Sequence, residues 1–223
     1  MKILALDTST DYCSVALLQE DRVLSDEVRA GQKHSDLLLP MVDRLLNETG
    51  IRLDDLDGIA FGAGPGSFTG LRIACAVAQG LAFGAGKSVV PVSTLLALAE
   101  ASGAERVVAA LDARMSEVYL AAYVRDDDGW RTVIQPCLQS PAALPELPGD
   151  GWAAVGSGFA VRDGALVVAC GDKLARVDVL RYPQAADMAR LAVPVFASGL
   201  AVAPEEAAPL YVRDKVALKV SER

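Results

Sequence analysis

Two aspartates and one glycine-rich loop carry the chemistry that spacing alone reveals. Asp7 ends an apolar run and opens the turn Asp7-Thr8-Ser9-Thr10, whose backbone N–H groups and hydroxyls could meet phosphate oxygens. Asp112 ends Ala110-Leu111-Asp112 and opens Ala113-Arg114-Met115-Ser116. That second turn has no glycine, so long side chains fill the space a phosphate would need. Facing one cleft, the two carboxylates would form an acid/base pair. With no nucleophile or metal ligand beside them, they read more simply as turn residues capping backbone N–H groups. The loop Gly64-Pro65-Gly66-Ser67-Phe68-Thr69-Gly70 precedes a helix. Its glycines permit close backbone approach and the helix N-terminus favours an anion; the plainer alternative is an elaborate cap and turn. Asp7, Thr8, Ser9, Gly66, Ser67 and Thr69 are therefore the candidates for a vestigial nucleotide or anion site.

Other chemistries are excluded or weakened. Gly84-Ala85-Gly86-Lys87-Ser88 imitates the end of a P-loop, but the motif needs glycine where Leu81 stands and must join a strand to a helix. This segment joins a helix to a strand. His34 is the single histidine, which removes any His pair for a metal and any Ser/His/Asp triad built elsewhere. It reads as a capping or surface residue beside a helix start. Cys13, Cys75, Cys137 and Cys170 are scattered beside apolar residues with no Cys-x-x-Cys spacing, the pattern of buried free thiols in a reducing compartment. No catalytic or metal residue is assigned.

The elements that position these residues follow from periodicity. Ile3–Leu6, Cys13–Leu18 and Arg22–Val28 read as three strands in hairpin order. Ser35 is expected to cap a helix to Thr49, with Gly50 as its stop and Pro40 one turn in. Gly58–Gly62 reads as a strand, Leu71–Phe83 as a helix, Ser88–Val92 as a strand, and Ser93 as the cap of a third helix. Far along the chain, Ala185, Met188, Ala189, Ala192, Val195 and Phe196 fall at helical spacing within 184–200.

The order then repeats. Ala5-Leu6-Asp7 matches Ala110-Leu111-Asp112 at an offset of 110 − 5 = 105, which drops Cys13–Leu18 onto Val118–Tyr123. Asp57-Gly58-Ile59-Ala60 matches Asp150-Gly151-Trp152-Ala153 at 150 − 57 = 93, so the second copy has lost 105 − 93 = 12 residues. The first long helix keeps only a short counterpart, Ser140–Leu147. A duplicated unit of strands and helices predicts an α/β protein of two related lobes, each a mixed sheet with flanking helices. The boundary divides 1–103 from 104–223. Actin-like and sugar-kinase ATPases share this plan, holding nucleotide between lobes with one phosphate hairpin from each.

Several blocks resemble the TsaB (YeaZ) family. They are Leu4-Ala5-Leu6-Asp7-Thr8-Ser9, His34-Ser35-Asp36-Leu37-Leu38-Leu39-Pro40, Pro65-Gly66-Ser67-Phe68-Thr69-Gly70-Leu71-Arg72, Asp112-Ala113-Arg114-Met115-Ser116-Glu117-Val118-Tyr119 and Pro209-Leu210-Tyr211-Val212-Arg213. They run in order from end to end. The resemblance implies an actin-like (ribonuclease H-like) fold, no cofactor of its own, and a place in bacterial tRNA modification. In that family the protein partners TsaD, which transfers a threonylcarbamoyl group to the adenosine beside the anticodon of tRNAs reading A-starting codons. The ATPase TsaE joins them. TsaD carries a metal-binding histidine pair that a chain with His34 alone cannot reproduce. The wider family's older label, glycoprotease, is unsupported for the same reason. The expectation is a non-catalytic scaffold, against the alternatives of an ATPase or small-molecule kinase of this fold and a structural homodimer.

Charge and helix composition agree with a protein partner. Net charge is −8 and pI about 4.7, so tRNA is expected to be held through the complex, because phosphate contacts need cations. Leu37, Leu38, Leu39, Met41, Val42, Leu45 and Leu46 spread over roughly twice the apolar arc of about 100° that one sheet requires. In Leu71–Phe83 only Arg72 and Gln79 are polar, while Ala74, Ala78 and Gly80 allow close helix approach. Leu38, Met41, Val42, Leu45, Leu71, Ala74, Cys75, Ala78 and Leu81 are the expected interface, for a homodimer in isolation and for the TsaD-type subunit in the complex. The longest apolar runs break well before about 18 residues, so no membrane span is expected and the location is read as cytoplasmic.

Overall fold

The computed structural model describes residues 1–143 and 146–213. β1 (Lys2–Asp7), β2 (Tyr12–Gln19) and β3 (Arg22–Arg29) form an antiparallel meander, followed by α1 (His34–Thr49). β4 (Gly58–Gly64), α2 (Phe68–Ala85), β5 (Ser88–Ser93) and α3 (Thr94–Ser102) complete the first half. The sheet order is β3-β2-β1-β4-β5, with β4 and β5 parallel to β1. The second half gives β6 (Arg106–Asp112), β7 (Val118–Asp126), β8 (Gly129–Gln139), β9 (Trp152–Val155), α4 (Ala165–Cys170) and β10 (Leu174–Asp178), ordered β10-β9-β6-β7-β8. This is the same sheet strand for strand, and α5 (Ala185–Ala197) follows it.

The strand registers correct the alignment of the two copies. Leu4 faces Ile59, and Ala109 faces Val155. With Leu4 and Ala109 105 apart, Ile59 corresponds to Val155 at 155 − 59 = 96. The Asp57–Ala60 match at 93 is thus three residues out of register, and the deletion up to this strand is 105 − 96 = 9. Small shared residues near a strand start had imitated homology. The second hairpin is also one residue shorter: Asp7 pairs Ser14, whereas Asp112 pairs Val118.

Helix ends differ from expectation for local reasons. α1 starts at His34, and Ser35 is not its cap, its hydroxyl lying toward the Asp36 carboxylate instead. Gly50 stops it in the left-handed conformation that glycine adopts at no steric cost. α2 begins three residues earlier than predicted because Ser67 accepts a bond from the Gly70 N–H. It ends at Gly86, which makes Gly84–Ser88 a helix stop and strand start. No helix forms in the described part of Ser140–Leu147; Ser140–Ala143 is a turn, and residues 144–145 lie outside the described residues.

The core explains the layout. One face of the first sheet is covered by α1 and α2 through Leu38, Met41, Leu45, Ala74 and Ala78. Its other face is covered by α5 through Met188, Ala189 and Ala192. α5, within 104–223, packs on the first sheet through Ala185, Met188, Ala189 and Ala192. α3 in turn packs Leu95, Leu98 and Ala99 on the second sheet. Against the expectation from apolar run lengths, α2 is long and apolar enough to cross a membrane by length and composition. Its inner side is taken by the lobe's own sheet, as in a core helix of a folded domain.

Candidate functional site

Both hairpins meet at a cleft of about 760 Å³, lined by Ser9 and Thr10 from one, Asp112 to Met115 from the other, and Gly66 to Gly70 at the start of α2. The first hairpin is turned inward. Asp7 and Thr8 are fully buried, Ser9 nearly so, and neither Asp7 nor Thr8 lines the cleft. Thr8 donates its hydroxyl to the Gly70 carbonyl at 2.7 Å, and the Ser67 N–H donates to the Ser9 carbonyl at 2.8 Å. A Cβ on Gly70 would stand 1.9 Å from the Thr8 carbonyl oxygen, and one on Gly66 2.6 Å from that of Ser9. These glycines let two loops of the chain touch each other. Ser67 and Thr69 remain exposed at the cleft rim.

Burial pushes the Asp7 carboxyl up to about 7, against the lowering effect of the Ser9 hydroxyl at 3.0 Å and the backbone of Ser9 and Thr8. Its Oδ1 has no hydrogen-bond partner and occupies the space a side chain at Gly62 would take. Asp112 differs: its carboxylate accepts the Arg114 N–H at 2.7 Å and stays exposed. Only one of the two carboxylates therefore opens to the cleft, and Asp112 acts as the turn-capping residue that the simpler reading gave. In the second hairpin Arg114, Met115 and Ser116 have φ of 63, 53 and 60°, three successive non-glycine residues in the left-handed region. His34 is 8% exposed, with Nε2 3.3 Å from the Tyr12 carbonyl, so it is a packed residue at the cleft edge rather than a surface one. Among the described residues, no three His, Cys, Asp or Glu side chains gather where they could hold a metal. Cys13, Cys75 and Cys170 are buried free thiols and Cys137 is half-buried.

The helix face expected to meet a partner is turned the wrong way. Leu38, Met41, Val42, Leu45, Leu71, Ala74, Cys75 and Ala78 are 0–5% exposed and pack into the chain's own core; only Leu81 is half-buried. An apolar arc wider than one sheet needs was correctly read, but composition does not say which part the sheet takes. The exposed part of α2 is Ala76, Gly80 and Gly84, ending beside Phe83, which is 78% exposed; Ile73 and Val77 flank it, half-buried against the core. The polar edge of α2 is occupied too. Gln79 donates to the Ala207 carbonyl at 2.9 Å, while Arg72 lies 3.8 Å over the Phe68 ring and donates to the Tyr211 hydroxyl at 3.0 Å. Sequence reasoning did not place Tyr211 or Arg213 at this site, although both stand in the block Pro209–Arg213 that carried part of the resemblance.

Two lobes with equivalent five-stranded mixed sheets, a cleft between their hairpins and exchanged terminal helices define an actin-like α/β protein. A family model described as tRNA N6-adenosine threonylcarbamoyltransferase (TsaD) matches residues 27–220. The tRNA threonylcarbamoyladenosine biosynthesis protein TsaB of Escherichia coli is 40% identical, over 98% of this chain and 97% of its own. Its namesake from Haemophilus influenzae is 40% identical over 98% and 96%. The structure of YeaZ from Pseudomonas aeruginosa superimposes with a TM-score of 0.85 at 42% identity, covering 94% of this chain and 99% of that one. The chain belongs to the TsaB (YeaZ) family.

Proposed function

We propose that this protein is a non-catalytic scaffold in tRNA threonylcarbamoyladenosine formation, activating a TsaD-type transferase with a TsaE-type ATPase, and working in the cytoplasm. The observation that carries the reading is α2: its inner face is filled by the chain's own core, yet Ala76, Gly80, Phe83 and Gly84 are exposed and, with the half-buried edges of Ile73 and Val77, leave an apolar stripe facing out. Small residues four apart, Ala76, Gly80 and Gly84, let another helix approach closely, and an exposed apolar stripe marks an interaction face. In a chain of this family, the partner of choice is the related transferase, with a second copy of the chain taking its place in isolation. The tRNA would be bound by the complex, in keeping with a net charge of −8 here.

The inward first hairpin and the glycine-free second hairpin favour this reading over an ATPase or kinase. The test is depletion in the host with nucleoside mass spectrometry of bulk tRNA. Threonylcarbamoyladenosine should fall while other modifications hold. Unchanged levels after verified depletion would overturn the proposal. An ATPase rate of about one per second by the purified chain, lost in Asp7→Ala, would establish the enzyme instead.

A further inference from the structure

The chain crosses between lobes at α3 and again before α5, and its described C-terminal stretch crosses a third time. Ala207 lies in the core of the first lobe and Val212 packs against that of the second. Between them the Leu210 N–H donates to the Ala63 carbonyl at 2.7 Å, and the Tyr211 hydroxyl receives Arg72. The strap ends on Arg213, whose side chain is 14% exposed and faces the second hairpin. There it donates to the Ala113 carbonyl at 3.0 Å and pairs with Glu117 at 2.8 Å. Those two residues bracket the three left-handed positions 114–116, a conformation that persists only where surroundings enforce it.

We propose that residues 207–213 are an interlobe latch: Arg213, anchored to the first lobe by the strap, holds the second hairpin in its strained shape and limits how far the cleft opens. A guanidinium suits the task because Nη2 carries two N–H donors, one for the carbonyl and one for the carboxylate. The latch does not depend on the scaffold reading, since it concerns the chain alone.

Arg213→Ala tests it by hydrogen exchange, trypsin and small-angle scattering on the purified chain. Exchange of the 113–117 amides and tryptic cleavage after Arg114, which is exposed, should each rise roughly tenfold, the loss expected of a charge-assisted hydrogen bond. The radius of gyration should rise as the cleft opens. Unchanged exchange in the hairpin overturns the latch. Faster exchange confined to 113–117 with an unchanged radius overturns it too, because Arg213 would then brace only the hairpin. Should Arg213→Ala fail to fold, Glu117→Gln removes one anchor conservatively. It should shift exchange and radius in the same direction by a smaller factor, and no shift in that variant overturns the proposal.

Discussion

In the first lobe, β3 and β4 are followed by helices of 16 and 18 residues, α1 and α2. In the second, the stretch after β8 turns at Ser140–Ala143, and the one after β9 yields a 3-10 turn at Ser157–Ala160 and the six-residue α4. The sheets beneath are equivalent, so the sheet alone does not require long helices. The second lobe closes the face that carries its own short α4 with Trp152, Phe159 and Leu166, large side chains on short segments. The first lobe spends two long helices on the same task, and α2 still presents an apolar stripe outward. On the proposed function, the excess length serves a partner outside the lobe.

The sharpest way to break that comparison is to place one charge on each side of α2. Ala78→Arg buries an unpaired guanidinium against the first sheet, where Ala78 is fully covered, at a cost of about 4 kcal/mol or more. That is a large share of a typical domain's stability, so thermal melting should lose its cooperative transition or shift down steeply. Gly80→Arg has open space, with nothing within 4 Å of the added Cβ, and replaces glycine in a helix interior, worth up to about 1 kcal/mol of gain. It should melt at or above the native temperature and yet abolish self-association and binding to the TsaD-type subunit in sedimentation or pull-down. A folded Gly80→Arg that still binds with unchanged affinity would leave the long helices without their external role.

A smaller effect separates the two aspartates. Asp7 is buried and raised to about 7, whereas Asp112 is exposed. The unfolded chain gives up the Asp7 proton near 3.8, the folded chain only near 7. Between those values the folded state holds the proton more tightly, so stability falls as pH rises, by about 1.4 kcal/mol per unit of separation at most. The native protein should melt higher at pH 5 than at pH 8. Asp7→Asn should flatten this slope, and Asp112→Asn should leave it in place. A native slope that survives Asp7→Asn would locate the titrating group elsewhere.

How much of this was legible depends on which physical signal each element left. Strands, the glycine stop at Gly50 and the cap at Ser93 were written in periodicity and in residues with one conformational use, whereas α2 runs two residues past Phe83 before Gly86 stops it. The duplication was legible at Asp7 and Asp112 but slipped at β9, where only small residues supported the alignment. The inward and outward faces of the two helices were not told apart, because Leu38 and Ala78 are as apolar as Leu39 and Ala76. Which side the sheet takes is decided by the tertiary fit and leaves no trace in composition. The strap to Arg213 was invisible for another reason: the Arg213 contacts reach across 213 − 117 = 96 or more residues of chain.

The mildest test compares the hairpins themselves. Ser116 has a φ of 60°, which costs an L-residue about 1–2 kcal/mol, and its exposed side chain makes no hydrogen bond among the described residues. Glycine there removes that cost but adds roughly 0.5–1 kcal/mol of chain entropy to the unfolded state, leaving a net gain near ~0.5 kcal/mol. For a chain of this length that is about 1–2 °C in Tm. In the first hairpin Thr10 has no positive φ, and its hydroxyl accepts the Tyr12 N–H at 3.3 Å. Thr10→Gly gains nothing and loses both the bond and the entropy, so it should lower Tm by about 2–4 °C. Opposite signs from the same substitution would show that the second hairpin carries a backbone strain the first does not. If both variants fall together, the left-handed run at 114–116 carries no strain, and the latch on Arg213 has less to hold.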